Sequence, residues 1–225
     1  MRNVKISVVI PTLNEETEIG LAIQSAWEAG AGEVIVVDGG SRDTTVLEAT
    51  KSGATKIVHS LPGRGVQLNA GAALVNPLHD VILFLHADNR LAKGCLQQIG
   101  DAKDVVWGAF RQRIDSDQFI FRLIEIGNAL RVSLRRVPFG DQAVFVLREE
   151  FERQGGFEEI PLMEDVAFAL KMRRRAKPKL LVGPLTVNCR RWRKRGAILQ
   201  TLQNWCLQLA FRFGIKPQVL RDWYR

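Results

Sequence analysis

Only three cysteines occur in the chain, Cys95, Cys189 and Cys206, and they are scattered. An odd number at such separations builds no disulfide framework and has no metal-ligand spacing, so a reducing compartment is expected. Long hydrophobic runs are also missing: no stretch reaches the roughly 18 apolar residues of a membrane span. The N-terminal VKISVVI is too short for a secretory signal and runs into Pro11 and then Asn14-Glu15-Glu16. No GxGxxG follows that first run, which argues against a dinucleotide oxidoreductase. Repeats, low-complexity tracts and linkers are absent. These absences leave one cytoplasmic domain over residues 1–225 as the expectation.

What is present is a globular composition, with 46% hydrophobic residues in 225, enough for one α/β domain with a full core. The charge is split. From Lys171 onward there are 15 basic residues and one acid, Asp222, whereas the first 170 residues carry a net −6 within a total of +8. A basic segment of this kind faces either solvent or an anionic partner: a phosphate, nucleic acid or an acidic membrane surface. It carries no established nucleic-acid motif, and no nucleic-acid partner is expected.

The first half alternates apolar runs with helical patterns. Strands are expected at Lys5–Ile10, Val34–Val37, Lys56–His59 and Val81–Leu85. Helices are expected over Asn14–Ala29, from a Ser41 or Asp43 cap to Lys51, over Gln67–Val75 and near Lys93–Ile99. Repeated β-α units mean a mostly parallel sheet flanked by crossover helices. Runs such as VIVV and VILFL suit strands buried on both faces. In the second half, Val105–Arg111, Ala143–Leu147 and Leu180–Val182 read as strands. Phe119, Leu123, Ile126, Leu130 and Leu134 make a helical stripe within Gln118–Arg135. Helices are also expected at Glu164–Arg174 and Ile198–Phe213. The face of the last, with Trp205, Leu209, Phe211 and Phe213, suits core, a homodimer contact, or peripheral membrane contact beside the basic loop.

Three carboxylates mark the chemistry. Asp38 and Asp88 follow apolar runs, and Asp165 opens an amphipathic one. Carboxylates just past buried strands face the crevice where open α/β sheets bind ligands. Ordered this way, the three suggest a nucleotide-sugar transferase. ISVVIPTLNEE, VIVVDGGSRDTT, FLHAD, GDQ and MED occur in sequence. Together they resemble an inverting family 2 glycosyltransferase of the GT-A fold, nearest to the bacterial radical-SAM/selenodomain-associated transferase 2 group. GRGVQLNAGA and RRWRKRG add to the likeness, which covers almost the whole chain.

The resemblance implies a nucleotide-sugar-binding half over about 1–110 and an acceptor half over about 111–225. Pro11, Thr12 and Glu15 would contact the nucleotide, although Thr12 and Asn14 also suit a helix cap. Asp38 would accept from a base or ribose, or else hold its own turn; many relatives have a second Asp where Gly39 stands. In GRGVQLNAGA, Arg64 and Asn69 would serve the donor, against the alternative of a tight turn with close helix packing. His86-Ala87-Asp88 stands where the family has Asp-x-Asp. Asp88 would therefore hold a divalent ion, Mn²⁺ or Mg²⁺, with His86 as a second ligand that favours Mn²⁺. Asp165 would be the general base with Glu164 in support, although first-turn acids also suit a helix dipole. Gly140, Asp141 and Gln142 would face the acceptor or sugar. Asn188-Cys189-Arg190-Arg191-Trp192 resembles Gln-x-x-Arg-Trp, with Arg191 on the diphosphate and Trp192 on a sugar ring. The implied donor is a UDP- or GDP-sugar and the acceptor anionic or lipid-linked, with the protein in the cytoplasm or at the inner face of the membrane. Two rivals stand beside this reading. A sugar-1-phosphate nucleotidyltransferase would want a Gly-rich basic loop where PTLNEE stands. A catalytically inactive module that binds carbohydrate, sugar nucleotide or nucleic acid is the other.

Overall fold

The computed structural model describes residues 4–224. In chain order these are β1 (Ile6–Thr12), α1 (Ile19–Ala29), β2 (Glu33–Asp38), α2 (Thr45–Lys51), β3 (Lys56–His59), α3 (Arg64–Ala72), β4 (Val81–Phe84), β5 (Asn89–Leu91), α4 (Gln97–Asp101), β6 (Trp107–Ile114), α5 (Phe119–Arg135), β7 (Phe145–Leu147), α6 (Arg148–Arg153), α7 (Glu164–Arg175), β8 (Lys179–Val187), α8 (Arg190–Arg195), α9 (Ala197–Arg212) and α10 (Pro217–Tyr224). A short 3-10 turn, Gly140–Gln142, precedes β7.

One sheet runs β3-β2-β1-β4-β7-β6-β8-β5. Its first four strands are parallel, as the β-α spacing implies. β7 is antiparallel to both β4 and β6, and β5 to β8, while β6 and β8 are parallel. The apolar runs are buried because each serves two cores. Val8 and Ile10 pack into one cluster with α1, while Val9 packs into the other with α3 and α7; Val34/Val36 and Ile35/Val37 divide in the same way. The chain steps from β1 out to β3 and then returns as β4 on the other side of β1. Connections diverge there, and such a switch point opens a crevice at the carboxyl ends of the strands.

Two sequence expectations of an element's span are corrected. Helix α1 starts at Ile19, not Asn14, because residues 14–16 bind the β2–α2 loop instead. Asn14 Oδ1 accepts from Arg42 N–H at 2.8 Å, Asn14 N–H donates to Ser41 Oγ at 2.9 Å, and Glu16 Oε2 accepts from Thr44 N–H at 3.0 Å. Strand β8 continues to Val187, well past Val182. Gly183-Pro184 hid the continuation, and a register shift between Phe110 and Gln112 on β6 absorbs it. Of the α9 face, Trp205, Leu209 and Phe213 are exposed, which leaves them to a surface contact, while Phe211 packs partly buried against the core; the whole α5 stripe is exposed as well. Thr44, not Ser41 or Asp43, is the N-cap of α2; Asp43 stands one residue before it, and its Oδ1 accepts from Thr45 N–H at 3.0 Å.

Gly108 sets the fit between β6 and its neighbours. A Cβ there would lie 2.1 Å from the Lys179 carbonyl oxygen and 2.6 Å from the Phe145 ring. Backbone cannot yield as a flexible side chain can. Gly108→Ala is therefore expected to cost about 3 kcal/mol, the upper end for an overpacked core. In a domain of this size that lowers Tm by roughly 6–12 °C. An unchanged melting midpoint would refute the close approach.

Candidate active site

Thr12 and Asp38 sit side by side at the carboxyl ends of β1 and β2, opposite each other in register, with Pro11 one step back opposite Val37. Asp38 is 1% exposed. Its Oδ2 accepts from Gly40 N–H at 3.0 Å and Ser41 N–H at 3.1 Å, and lies 3.2 Å from His59 Nδ1. Burial works against the charge, but the Ser41, Gly40 and His59 hydrogen bonds hold the carboxyl below its ordinary value. Much of Asp38 is thus spent on its own turn. Thr12 Oγ1 and Glu15 Oε2 are buried and find no hydrogen-bond partner among the described residues, so Thr12 caps no helix.

The Gly-rich motif packs closely against its neighbours. A Cβ at Gly65 would lie 2.4 Å from the Glu158 carbonyl oxygen, and one at Gly71 would lie 2.4 Å from Val9 Cγ1. Gln67 Nε2 donates to the Thr12 and Val37 carbonyls, both at 2.9 Å, tying α3 across the two strand ends. Asn69 clamps Phe157: its Nδ2 donates to the carbonyl at 3.0 Å and its Oδ1 accepts from the N–H at 2.9 Å. Both ends of the Asn69 amide are therefore committed to protein backbone, which corrects its expected place on the donor. Only Arg64, at the start of α3, faces the cleft. Its Nη1 donates to Glu164 Oε1 at 3.2 Å, beside the acidic pair, where contact with a diphosphate had been expected.

After β4 come His86, buried Ala87 and Asp88. Asp88 Oδ2 lies 3.1 Å from Arg190 Nη2, and the same guanidinium pairs with Glu15 Oε1. The Glu15 bond and then the charge of Asp88 outweigh burial and hold Arg190 above its ordinary pKa. Arg190 was missed as a site residue, although it stands inside the quoted NCRRW segment. Its neighbour Arg191 received the role instead, and the Arg191 side chain lies outside the described residues.

Glu164 and Asp165 open α7. Asp165 Oδ2 accepts from Gly140 N–H and Oδ1 from Val166 N–H, each at 2.7 Å. A Cβ at Gly140 would lie 3.0 Å from His86 Nε2 and 3.3 Å from Asp165 Oδ2, so this glycine lets the histidine and the carboxylate flank one bare stretch of backbone. Glu164 is buried. Burial raises its carboxyl pKa; Arg64 opposes the shift and Asp165 adds to it. Burial lowers the Arg64 pKa in turn, but Glu164 and Asp165 hold it above its ordinary value. Asp141 turns its carbonyl to Asn89 Nδ2 at 3.0 Å and lines the cleft. Gln142, in contrast, is fully buried, and its Oε1 accepts from Arg131 Nη2 at 2.9 Å. It braces the turn and does not reach an acceptor, which is a second correction. Arg131 lies over the Phe139 ring, 3.2 Å from the centroid. Burial pulls its pKa down to about 10 against Asp141 and Asp165.

Trp192 is 9% exposed and packs edge-on to Phe121, with centroids 5.9 Å apart. It can present only part of its ring to the cleft, not the open face that sugar stacking requires. Two neighbouring cavities, of about 60 and 120 Å³, share His86, Asp141, Asn204 and Tyr224 in their walls. Asp88 and Trp192 line the first; Arg64, Glu164 and Asp165 line the second. Asn204 and Tyr224 come from the C-terminal helices and carried no sequence signal.

Comparison with known proteins follows this geometry. The glycosyl transferase family 2 model matches residues 7–175. An uncharacterized glycosyltransferase of Mycobacterium tuberculosis is 34% identical over 95 residues, 42% of this chain and 41% of its own. Glucosyl-3-phosphoglycerate synthase of M. tuberculosis is 38% identical over 92 residues, 37% of this chain and 28% of its own. The matched stretches thus span less than half of those relatives. Among solved structures, that synthase in complex with Mn²⁺, uridine diphosphate and glucosyl-3-phosphoglycerate superposes with a TM-score of 0.64 at 20% identity, over 95% of this chain and 81% of that one. S. aureus TarS 1–349 gives 0.64 at 19%, over 82% and 60%. The sheet order, the switch-point cleft and the family match over three quarters of the sequence agree: the chain belongs to glycosyl transferase family 2 and has the GT-A fold.

Proposed function

We propose that the protein moves a sugar from a nucleoside-diphosphate sugar, a UDP- or GDP-sugar, to an acceptor hydroxyl with inversion at the anomeric carbon. The gathering of His86, Asp88, Asp141 and Asp165 around two neighbouring cavities beside the carboxyl ends of parallel strands carries this reading. Thr12 Oγ1 and Glu15 Oε2 support it. Buried polar atoms are normally paired, and a base or ribose at this strand end would pair them. Asp165 takes the acceptor proton as the hydroxyl attacks, and the nucleoside diphosphate leaves. Arg64, held by Glu164, keeps a positive charge beside that carboxylate. Gly140 and Asp141 border the acceptor side. The donor half over about 1–110 and the acceptor half over about 111–225 work as one domain. The excess of basic residues from Lys171 onward supports an anionic or lipid-linked acceptor.

The residues fit a divalent ion that arrives with the diphosphate. Asp88 offers an oxygen and His86 a nitrogen, but no group of three His, Cys, Asp or Glu is gathered among the described residues. Phosphate oxygens and water would complete the shell, which Mn²⁺ and Mg²⁺ accept. Such an ion would offset charge on the leaving group.

A thermal-shift panel of nucleotide sugars with Mn²⁺, followed by assay of nucleoside diphosphate release, tests the reading. The matching donor at a hundred times its Kd adds about 2.7 kcal/mol of apparent stability. No shift with any UDP- or GDP-sugar would overturn the proposal.

A further inference from the structure

Helices α5 and α9 carry the same unexplained pattern. On α5, Phe119, Leu123, Ile126, Leu130 and Leu134 follow a spacing of four, three, four and four residues. From α9, Ile198, Leu202, Trp205, Leu209 and the adjoining Phe213 repeat it. That spacing keeps each set on one helix face, about 22 Å long at 1.5 Å per residue. All ten side chains are between 48% and 83% exposed. The stripes meet at a groove of about 350 Å³, where Leu130 and Leu134 face Trp205 and Leu209. Soluble surfaces rarely leave so many large apolar groups contiguous without a partner.

Charge identifies the partner. No acidic residue occurs between Asp165 and Asp222, so α9 and both its flanks carry none. The one carboxylate on α5, Glu125, is turned inward: it accepts from Ile114 N–H at 2.6 Å and pairs with Arg122 at 3.0 Å. Arg135 and Arg212 rim the groove. Two copies pressed face to face would set these arginine rims against each other. An anionic bilayer would accept both the apolar stripes and the cationic rim.

We infer that the outer faces of α5 and α9 form a docking platform for an anionic lipid surface. Gln208 lines both this groove and the cavity that holds Asp165, and Asn204, also on α9, lines that cavity too. Docking therefore sets the cleft next to the headgroup layer, within reach of a lipid-linked acceptor. The platform itself rests on its own geometry and not on the transfer reaction.

The test is co-sedimentation of the full chain with phosphatidylglycerol–phosphatidylcholine vesicles and with pure phosphatidylcholine. Binding to the anionic vesicles that falls with added salt is expected. The pairs Leu130→Ser/Leu134→Ser and Trp205→Ser/Leu209→Ser alter exposed positions and should keep the native melt. Each pair is expected to lose at least about tenfold in vesicle partitioning, by removal of buried apolar area. No vesicle binding by the native chain would overturn the inference, and so would equal binding to both vesicle types or unchanged binding in both paired variants. A dimer in sedimentation equilibrium that the variants abolish would assign the face to a second copy instead. The donor thermal shift, read on the same variants, is expected to stay unchanged; its loss in the native chain would count against the transfer reaction alone.

Discussion

Asp165→Asn is expected to keep donor binding and lose transfer by about 10²–10⁴-fold, the range for a missing general base. The base acts as the acceptor proton moves, so its loss falls on the chemical step and not on donor affinity. The geometry adds a condition. Both carboxylate oxygens accept N–H bonds, one from Gly140 and one from Val166. An asparagine keeps one of these and turns its NH₂ toward the other N–H. The lost hydrogen bond costs about 1–3 kcal/mol locally, so a melt must accompany the kinetics. Glu164→Gln is the companion variant: it weakens the Arg64 pair but leaves the Asp165 carboxylate, and a smaller fall in turnover is expected. Single-turnover transfer beside a donor titration decides. Near-normal turnover in folded Asp165→Asn would move the base elsewhere, with Asp141 or Glu164 next. Loss of donor binding together with turnover would give Asp165 a structural or donor-binding role.

The strands of the first half were legible because runs such as VIVV and VILF suit strands buried on both faces between helix layers. Their order sets Asp38 at the end of β2 and Asp88 just past β4. Polar residues within the motifs were less legible. Asn69, Gln142 and Asp38 carry groups that could serve a ligand or neighbouring backbone equally well, because the hydrogen-bonding chemistry is the same. In the fold, Phe157 takes Asn69, Arg131 takes Gln142, and the 38–41 turn takes much of Asp38. Sequence spacing cannot show a partner 88 residues away. The helical stripes were legible as helices, but not in what they face. Their period fixed a face on α5 and α9, but what a face looks toward depends on where the helix sits, and these face outward. Arg190 was hidden by proximity: in a run of adjacent arginines, only helix phase decides which one reaches Glu15 and Asp88.

Asp88 and Arg190 lead to the last prediction. Asp88→Ala is expected to abolish the Mn²⁺-dependent part of nucleoside-diphosphate binding, a fall of about 10²-fold, because a bound ion contributes several kcal/mol through its charge. No group of three His, Cys, Asp or Glu is gathered among the described residues, so the loss of Asp88 is not made good by a ready set of other ligands. Arg190→Gln should act in the opposite direction on the metal. The guanidinium lies 3.1 Å from Asp88 Oδ2, so it and an arriving cation compete for one carboxylate. Removing it leaves both Asp88 and Glu15 uncompensated and should tighten Mn²⁺ binding in the absence of nucleotide. Calorimetry separates the two, with Mn²⁺ titrated alone and nucleoside diphosphate titrated with and without Mn²⁺. Unchanged metal-dependent affinity in folded Asp88→Ala would remove the aspartate from the metal site. Weaker Mn²⁺ binding in Arg190→Gln would show that the arginine organises the two carboxylates for the ion and does not compete with it. Weaker nucleotide binding without metal would instead place Arg190 on the diphosphate, the role the sequence had assigned to its neighbour.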